Sequence, residues 1–153
     1  IKIIVCCLIG YLLGNFSPAY LFGRLKGYDI RKEGSGNVGA TNAFLLVGKH
    51  AFFVTAALDI LKAFAAWKIC ELLFPALRLA GPLGGAACVI GHMYPALLGF
   101  HGGKGLASLG GVALAWHWQW FCFSVWIQRF GWYRCCFLFF ICCCSFWLSL
   151  SSC

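Results

Sequence analysis

The chain opens with a long uncharged run, IIVCCLIGYLLGNFSPAYLFG, at residues 3–23. A transmembrane α-helix needs about 20 consecutive apolar residues, and this run has that length. Three further uncharged runs approach or exceed it, and residues 51–70 are apolar apart from Asp59, Lys62 and Lys68. The sequence therefore predicts an all-α fold, a polytopic transmembrane bundle of about five spans. The predicted spans lie in the runs at residues 3–23, 51–70, 79–103, 105–128 and 135–153, and the third is expected to end near Tyr94-Pro95.

The composition agrees with a membrane environment. Hydrophobic residues make up 62% of the chain and charged residues 10%, whereas soluble domains average about 45–50% and about 25%. In a membrane protein, a net charge of +8 indicates cytoplasmic loops and anionic lipid headgroups, and no nucleic-acid partner is expected. Five positive residues lie between the first two spans, which predicts that this segment faces the cytoplasm. They are Arg24, Lys26, Arg31, Lys32 and Lys49.

Other classes of protein fit the sequence less well. Lys2 and the small residues Ser17-Pro18-Ala19 allow a secretory signal, but the apolar run continues to Gly23, which favours a span. A small transporter or channel would be expected to show an inverted repeat, and none is visible. The eleven cysteines lie mostly in apolar runs without a Cys-x-x-Cys motif, so they are expected to pack as small apolar residues. We expect no metal and no cofactor.

A first glycine-rich loop is predicted at residues 26–50. It contains the motif Gly34-Ser35-Gly36-Asn37-Val38-Gly39-Ala40-Thr41-Asn42. The glycines match G-x-G-x-x-G, but the dinucleotide-binding motif follows a β-strand, and this one follows a membrane helix. Glycines let backbone N–H groups approach an anion closely, and Ser, Thr and Asn add donors around it. The motif favours an anion-binding loop, with a flexible polar loop as the alternative.

A second glycine-rich loop is predicted at residues 99–107, around Gly102-Gly103-Lys104-Gly105. A lysine among glycines suits phosphate binding, although a lysine at a helix end can also simply reach the membrane interface. His92 and His101 are nearby candidates for a base or a hydrogen-bond donor. Two spans separate the two loops, so both are expected on one membrane face, where they can form one site.

Together the two loops resemble the signature loops of the acyl-phosphate-dependent glycerol-3-phosphate acyltransferase family, the bacterial membrane enzymes called PlsY. The matching motifs occur in family order over about residues 10–112. They are Tyr11-Leu12-Leu13-Gly14-Asn15 with Pro18, Asp29-Ile30-Arg31, the Gly34-to-Asn42 motif, Gly48-Lys49, Asp59 with Lys62, Gly91-His92-Met93-Tyr94-Pro95, and Gly102-Gly103-Lys104-Gly105.

The resemblance implies transfer of a fatty acyl group from acyl phosphate to the 1-hydroxyl of glycerol 3-phosphate, giving lysophosphatidic acid and phosphate. It implies the bacterial inner membrane as the location, with the signature loops in the cytoplasm and the lipid bilayer as partner. Catalytic roles are expected for Ser35, Lys104 and His92. Substrate-binding roles are expected for Gly34, Gly36, Asn37, Gly39, Thr41, Asn42, Gly102, Gly103 and Gly105.

The sequence departs from the family pattern in two places. The family commonly carries an arginine three positions after the residue equivalent to Asn42, and this chain has Leu45. The family's third signature, a serine-containing loop, has no counterpart that we can place in residues 116–153. These departures favour an alternative, an inactive or truncated relative that acts as a non-catalytic membrane protein binding anions or lipids.

The composition changes near Trp116. Six of the seven tryptophans and seven of the eleven cysteines lie in residues 116–153, whereas membrane helices ordinarily pack through small residues. We therefore expect an acyltransferase-like membrane domain at residues 1–115, followed by an atypical hydrophobic tail at residues 116–153. A shifted reading frame from about Ala115 is one hypothesis for this tail.

Overall fold

The computed structural model describes residues 1–117. Residues Ile1–Ala115 form one compact unit. Within the described part of the chain the regular elements are helical, as predicted. They are α1 (Lys2–Asn15), α2 (Pro18–Leu25), α3 (Ala40–Val47), α4 (Lys49–Leu73), α5 (Ala80–Met93), a 3₁₀ turn (Ala96–Leu98) and α6 (Leu106–His117).

The first predicted span is interrupted. Helix α1 ends at Asn15, and α2 begins at Pro18 with Ser17 as its N-cap residue. Proline has no backbone N–H and is tolerated at the first position of a helix, so it ends one helix and begins the next. The span predicted over residues 3–23 lies within the apolar segment Lys2–Leu25 and is confirmed, whereas the break at Pro18 was not predicted, because hydropathy gives a proline no weight.

Helix α5 covers Ala80–Met93 of the uncharged run at residues 79–103, since Pro95 and the glycines after it do not continue a helix. The prediction that this span ends near Tyr94-Pro95 is confirmed. The first glycine-rich loop contains a helix, α3, which was not predicted. Helix α4 contains the span predicted at residues 51–70. The span predicted at residues 135–153, and the end of the one at 105–128, lie outside the described residues.

Glycines bring α1 and α5 into close contact. A methyl group on Gly10 would overlap the carbonyl oxygen of Gly84, and one on Gly91 would overlap the carbonyl oxygen of Tyr11. Helix α5 packs against α4 in the same manner, because a methyl group on Gly84 would meet the Ala66 carbonyl at 2.8 Å. Such contacts between small residues are typical of membrane helices, where backbones must approach closely to gain van der Waals energy.

The length and hydropathy of each helix decide whether it can cross a bilayer. Within residues 1–117, only the segment Lys2–Leu25 is long and apolar enough to cross a bilayer, with a mean hydropathy of 1.6. Helix α4 has 25 residues but carries Asp59, Lys62, Lys68 and Glu71. Because the Asp59 and Lys62 side chains are buried against each other, α4 presents a more apolar surface than its composition suggests.

We expect Gly10→Ala to destabilise the fold, because the new methyl group overlaps the Gly84 backbone. Overpacking of this kind costs about 1–3 kcal/mol. Gly110→Ala is the matched control, since Gly110 lies within α6 and no described residue is within 4 Å of a Cβ placed there. Both substitutions gain about 0.5–1 kcal/mol of helix preference. Thermal unfolding in detergent micelles is expected to show a lower midpoint for Gly10→Ala only, and equal midpoints would contradict the packing.

Candidate active site

The first loop is organised around Asn42, whose side chain is fully buried. The Asn42 Oδ1 accepts a hydrogen bond from the Ser35 backbone N–H at 3.0 Å. Its Nδ2 donates to the carbonyl oxygens of Ile30 at 2.9 Å and Glu33 at 3.0 Å. An asparagine side chain has two donors and one carbonyl acceptor, so all three bonds serve the loop. Asn42 therefore holds the first loop through these bonds, and the substrate-binding role expected from the sequence stays a prediction.

Gly34 is required by this arrangement. Its φ is +63°, a conformation that residues with a side chain rarely adopt. A Cβ at this position would also overlap the Asn42 Oδ1 atom. Gly34 therefore allows the loop to close over Asn42, and Ser35, the next residue, is left exposed.

Arg31 connects the first loop to the turn that precedes the second. Its Nη2 pairs with Asp29 Oδ2 at 2.9 Å, and its Nε donates to Asp29 Oδ1 at 3.0 Å. Its Nη1 donates to the Leu98 carbonyl at 3.3 Å, and the guanidinium lies 5.3 Å from the Tyr20 ring. The hydrogen bonds from Arg31 lower the pKa of Asp29 to about 2. This bidentate pair fixes Arg31 in the orientation that reaches Leu98.

The two glycine-rich loops are in contact, as the sequence predicted. The Val38 N–H in the first loop donates to the Gly102 carbonyl in the second at 3.2 Å. The Gly103 N–H donates to the His92 carbonyl at 3.1 Å. A methyl group on Gly103 would overlap Nε2 of the His92 ring, so the second loop lies directly on this histidine. Glycine at position 103 thus lets the loop approach both α5 and the first loop.

The side chains that are free to bind a ligand lie on the two loops. Ser35, Thr41 and Lys104 are exposed, and Asn37 is half-buried. Within residues 1–117, no hydrogen bond or ion pair engages the Lys104 ammonium group. The site therefore presents an unpaired positive charge beside exposed hydroxyl groups, an arrangement suited to a phosphate.

Beneath the loops lies a buried cluster of charged and polar side chains. Lys62 Nζ is 2.7 Å from Asp59 Oδ1 and 2.9 Å from His92 Nδ1. It also donates to the Phe16 carbonyl at 2.7 Å and approaches the Gly14 carbonyl at 3.4 Å. The pairing of Asp59 with Lys62 was predicted from their spacing of three and is confirmed. That His92 joins this pair was not predicted, because sequence spacing does not show how two helices face each other.

Asn15 is a second residue whose role the sequence did not indicate. It is buried, and its Oδ1 accepts from the Leu97 N–H at 3.3 Å, which connects α1 to the turn before the second loop. Tyr11 makes a similar link, since its hydroxyl donates to the Tyr94 carbonyl at 2.9 Å. A polar side chain in an otherwise apolar run was the available signal for Asn15. His101 is exposed, with Nδ1 2.7 Å from the Gly99 carbonyl, and lies apart from the buried cluster.

The cysteines that the structure describes are free thiols. Cys6, Cys70 and Cys88 are completely buried among the helices. Cys70 Sγ donates to the Cys6 carbonyl at 3.6 Å, which satisfies a backbone acceptor at the contact between α4 and α1. These three cysteines serve as small core residues, as expected from their apolar surroundings.

Comparison with known proteins agrees with this geometry. Residues 4–151 match the family model described as glycerol-3-phosphate acyltransferase. The chain is 47% identical over 109 residues to the glycerol-3-phosphate acyltransferase of Allorhizobium ampelinum, covering 69% of this chain and 52% of that protein. It is 39% identical over 135 residues to the glycerol-3-phosphate acyltransferase of Aquifex aeolicus, and the match covers 87% of this chain and 70% of that protein. The chain thus spans about half the length of the first of these relatives and more of the second.

Two solved structures are similar in fold. One is the crystal structure of PlsY (YgiH), an integral membrane glycerol 3-phosphate acyltransferase, in its glycerol 3-phosphate form, with a TM-score of 0.70 and 38% identity. The similarity covers 88% of this chain and 68% of that one. The lysophosphatidic acid form gives a TM-score of 0.68 and 37% identity, covering 86% and 66%. The polytopic membrane fold predicted from the sequence agrees with this likeness.

We expect the Asp29 carboxyl group to titrate near pH 2 in the folded protein, because the bonds from Arg31 favour its charged form. The ion pair therefore contributes stability above the ordinary pKa of 3.8, and this contribution is lost as the pH falls towards 2. In Arg31→Gln the Asp29 pKa is expected to rise towards 3.8. Lys32→Gln is the control, since the charge of Lys32 contributes least to the lowered pKa of Asp29. Carboxyl ¹³C chemical shifts provide the measurement, and an unchanged pKa in Arg31→Gln would contradict the assignment.

Proposed function

The chain belongs to the glycerol-3-phosphate acyltransferase family, and we propose that it transfers a fatty acyl group from acyl phosphate to the 1-hydroxyl of glycerol 3-phosphate. The products are lysophosphatidic acid and inorganic phosphate. The observation that carries the proposal is the hydrogen bond between Val38 and Gly102, which joins the two glycine-rich loops. Support for the acceptor and the product comes from the relative whose structures are its glycerol 3-phosphate and lysophosphatidic acid forms.

The joined loops suit a reaction between two phosphate-bearing substrates. Both loops offer glycines that let backbone groups approach an anion. Lys104 brings a positive charge with no partner among residues 1–117. Holding donor and acceptor together on one surface converts their encounter into a positioned reaction. We assign substrate positioning to Asn37 and Thr41 and to the glycines at 34, 36, 39, 102, 103 and 105.

The chemical step needs little from the protein beyond positioning and charge. The 1-hydroxyl oxygen attacks the acyl carbon, and the bond from that carbon to the phosphate oxygen breaks. The leaving phosphate accepts the hydroxyl proton, so atoms and charges balance without a covalent enzyme intermediate. Lys104 stabilises the negative charge that develops on the transferred group and on the departing phosphate. The exposed Ser35 hydroxyl is placed to hydrogen-bond a substrate at the edge of the first loop.

We place the protein in the bacterial inner membrane with both loops in the cytoplasm. The positive residues between α1 and α4 support this orientation, because cytoplasmic loops of membrane proteins are enriched in lysine and arginine. Arg24, Lys26 and Lys32 are exposed there. In this orientation a water-soluble acceptor reaches the loops from the cytoplasm, and the lipid donor reaches them from the bilayer.

A second candidate function is binding without catalysis. Leu45 favours it, because this position lies on α3 beside the first loop, is 62% exposed and carries no charge. Without a guanidinium at this position, and with that of Arg31 engaged by Asp29 and Leu98, the first loop lacks a free group able to hold a phosphate by two parallel hydrogen bonds. A membrane protein that binds anions or lipid headgroups through the same loops would fit this composition.

Turnover tests the first proposal. The purified chain, given acyl phosphate and labelled glycerol 3-phosphate, is expected to form labelled lysophosphatidic acid. Lys104→Ala is expected to lower kcat/KM by about 10²–10³-fold, the usual cost of removing a group that stabilises transition-state charge. Lys26→Ala is the control, because Lys26 is exposed outside the glycine motifs and is expected to change kcat/KM less than threefold. Full activity in Lys104→Ala would refute its assigned role, and binding of glycerol 3-phosphate without turnover would favour the second candidate.

Leu45→Arg is expected to strengthen acceptor binding. A charge-assisted hydrogen bond contributes about 1.5–3 kcal/mol, so KM for glycerol 3-phosphate is expected to fall by about tenfold or more. Leu45→Met, which adds no charge, is the control and is expected to leave KM unchanged. Steady-state kinetics at fixed acyl phosphate provide the measurement. Equal KM values for the two variants would show that position 45 lies out of reach of the acceptor phosphate.

A further inference from the structure

The buried cluster of Asp59, Lys62 and His92 lies directly beneath the second loop. Their side chains are 2%, 6% and 4% exposed. Ionisable groups at such depth are costly unless they are paired, and in membrane proteins they commonly mark functional positions. None of the three is exposed to a substrate in the way that Ser35 and Lys104 are. Their contacts with backbone indicate what they do instead.

The break between α1 and α2 creates a need for a donor. In a continuous helix the Gly14 carbonyl would accept from the backbone N–H of residue 18, but Pro18 has none. The Phe16 carbonyl would accept from Tyr20, whose N–H instead points to the Ser17 Oγ at 3.5 Å. Lys62 donates to the Phe16 carbonyl at 2.7 Å and approaches that of Gly14 at 3.4 Å. Its ammonium group therefore holds the end of α1.

The same ammonium group sets the orientation of His92. Lysine has donors only, so His92 Nδ1, at 2.9 Å, accepts from Lys62 Nζ. Nε2 faces Gly103, which follows from the overlap that a Gly103 side chain would produce. The Gly103 N–H is also bonded to the His92 carbonyl. Backbone and ring of His92 thus support the loop residue that precedes Lys104.

We propose that Asp59 and Lys62 are positioning residues that, through His92, fix the second loop and its Lys104 against the first loop. Asp59, 2.7 Å away, holds the Lys62 ammonium group in place, Lys62 fixes the His92 ring, and the ring supports Gly103. This inference rests on the proposed acyl transfer, since it makes the site depend on a cluster that does not touch substrate. It assigns His92 a supporting role in place of the catalytic role expected from the sequence.

A role in folding alone is the competing explanation, and paired variants separate the two. Lys62→Met alone leaves the buried Asp59 carboxylate without its partner, and an unpaired buried charge lowers stability whatever its role in the site. The double variant Asp59→Asn with Lys62→Met removes both charges and leaves none unpaired. We expect it to stay folded with a lower unfolding midpoint, because the Phe16 carbonyl loses its donor, while kcat/KM for glycerol 3-phosphate falls at least tenfold. Misplacement of a catalytic group by about 1 Å is enough for such a loss.

Lys68→Met is the matched control. Lys68 lies on the same helix and pairs with Glu71 at the same spacing of three, at 2.7 Å, but the pair is 29% and 39% exposed and far along α4 from the loops. We expect kcat/KM to change less than twofold in this variant. A parent-like kcat/KM in the folded double variant would overturn the proposal.

Amide hydrogen exchange gives a readout that does not depend on turnover. Exchange at residues 102–105 is expected to rise at least tenfold in the double variant and to stay unchanged in Lys68→Met. If the parent chain shows no acyl transfer, the proposed function fails, but exchange still decides whether the cluster holds the loop. His92→Asn provides the answer if the double variant does not fold. Its amide oxygen can still accept from Lys62 while the ring edge at Gly103 is removed, and unchanged exchange in a folded His92→Asn would also overturn the proposal.

Discussion

Pro18 has no amide hydrogen, and much of the described structure follows from that absence. The carbonyl of Gly14 loses its helical partner, α1 ends, and the chain turns into α2. A buried acceptor without a donor costs about 1–3 kcal/mol, and the Lys62 ammonium group from α4 approaches the Gly14 carbonyl at 3.4 Å while it donates to that of Phe16 at 2.7 Å. Because a buried charge is costly without an opposite charge beside it, Asp59 accompanies Lys62 one helical turn earlier. A break in one helix thus requires an ion pair in another.

The close packing of α1 on α5 makes this arrangement possible. Gly14 lies against Gly91, where a side chain on either residue would overlap the opposite backbone. The next residue after Gly91 is His92, which therefore lies within reach of the Lys62 ammonium group. Gly14 serves two purposes, since its lack of a side chain permits the helix contact and its carbonyl is near Lys62. The close contact of α1 with α5 at these glycines is thus what brings His92 to the buried charges of α4.

The sequence predicted the kinds of element better than their ends and contacts. Hydropathy indicated the helices because an apolar run needs no knowledge of its neighbours, and a spacing of three indicated the pairing of Asp59 with Lys62. The end of α5 at Met93 agrees with the predicted end near Tyr94-Pro95, because Pro95 marks the end of a helix in the sequence itself. The role of Asn42 could not be predicted, since its partners Ile30 and Glu33 lie 12 and 9 residues away along an irregular loop. The contact of His92 with Lys62 spans 30 residues and depends on how two helices face each other.

The two loops are held by different means, and this bears on how the site operates. The first loop is held by Asn42 at its centre, by an apolar cluster that includes Ile30, Val38 and Leu98, and by the Asp29–Arg31 ion pair. The second loop rests on a histidine that is held by a buried ion pair. Because position 45 carries no arginine and Arg31 is engaged with Asp29, the Lys104 ammonium group on the second loop is the cation that the glycine motifs offer to a phosphate. The Coulomb attraction between a phosphate and an ammonium group varies with their separation. The position of the second loop therefore sets how strongly Lys104 attracts a bound phosphate. The fold therefore places the buried ion pair of Asp59 and Lys62 beneath the second loop, whose position determines where Lys104 lies.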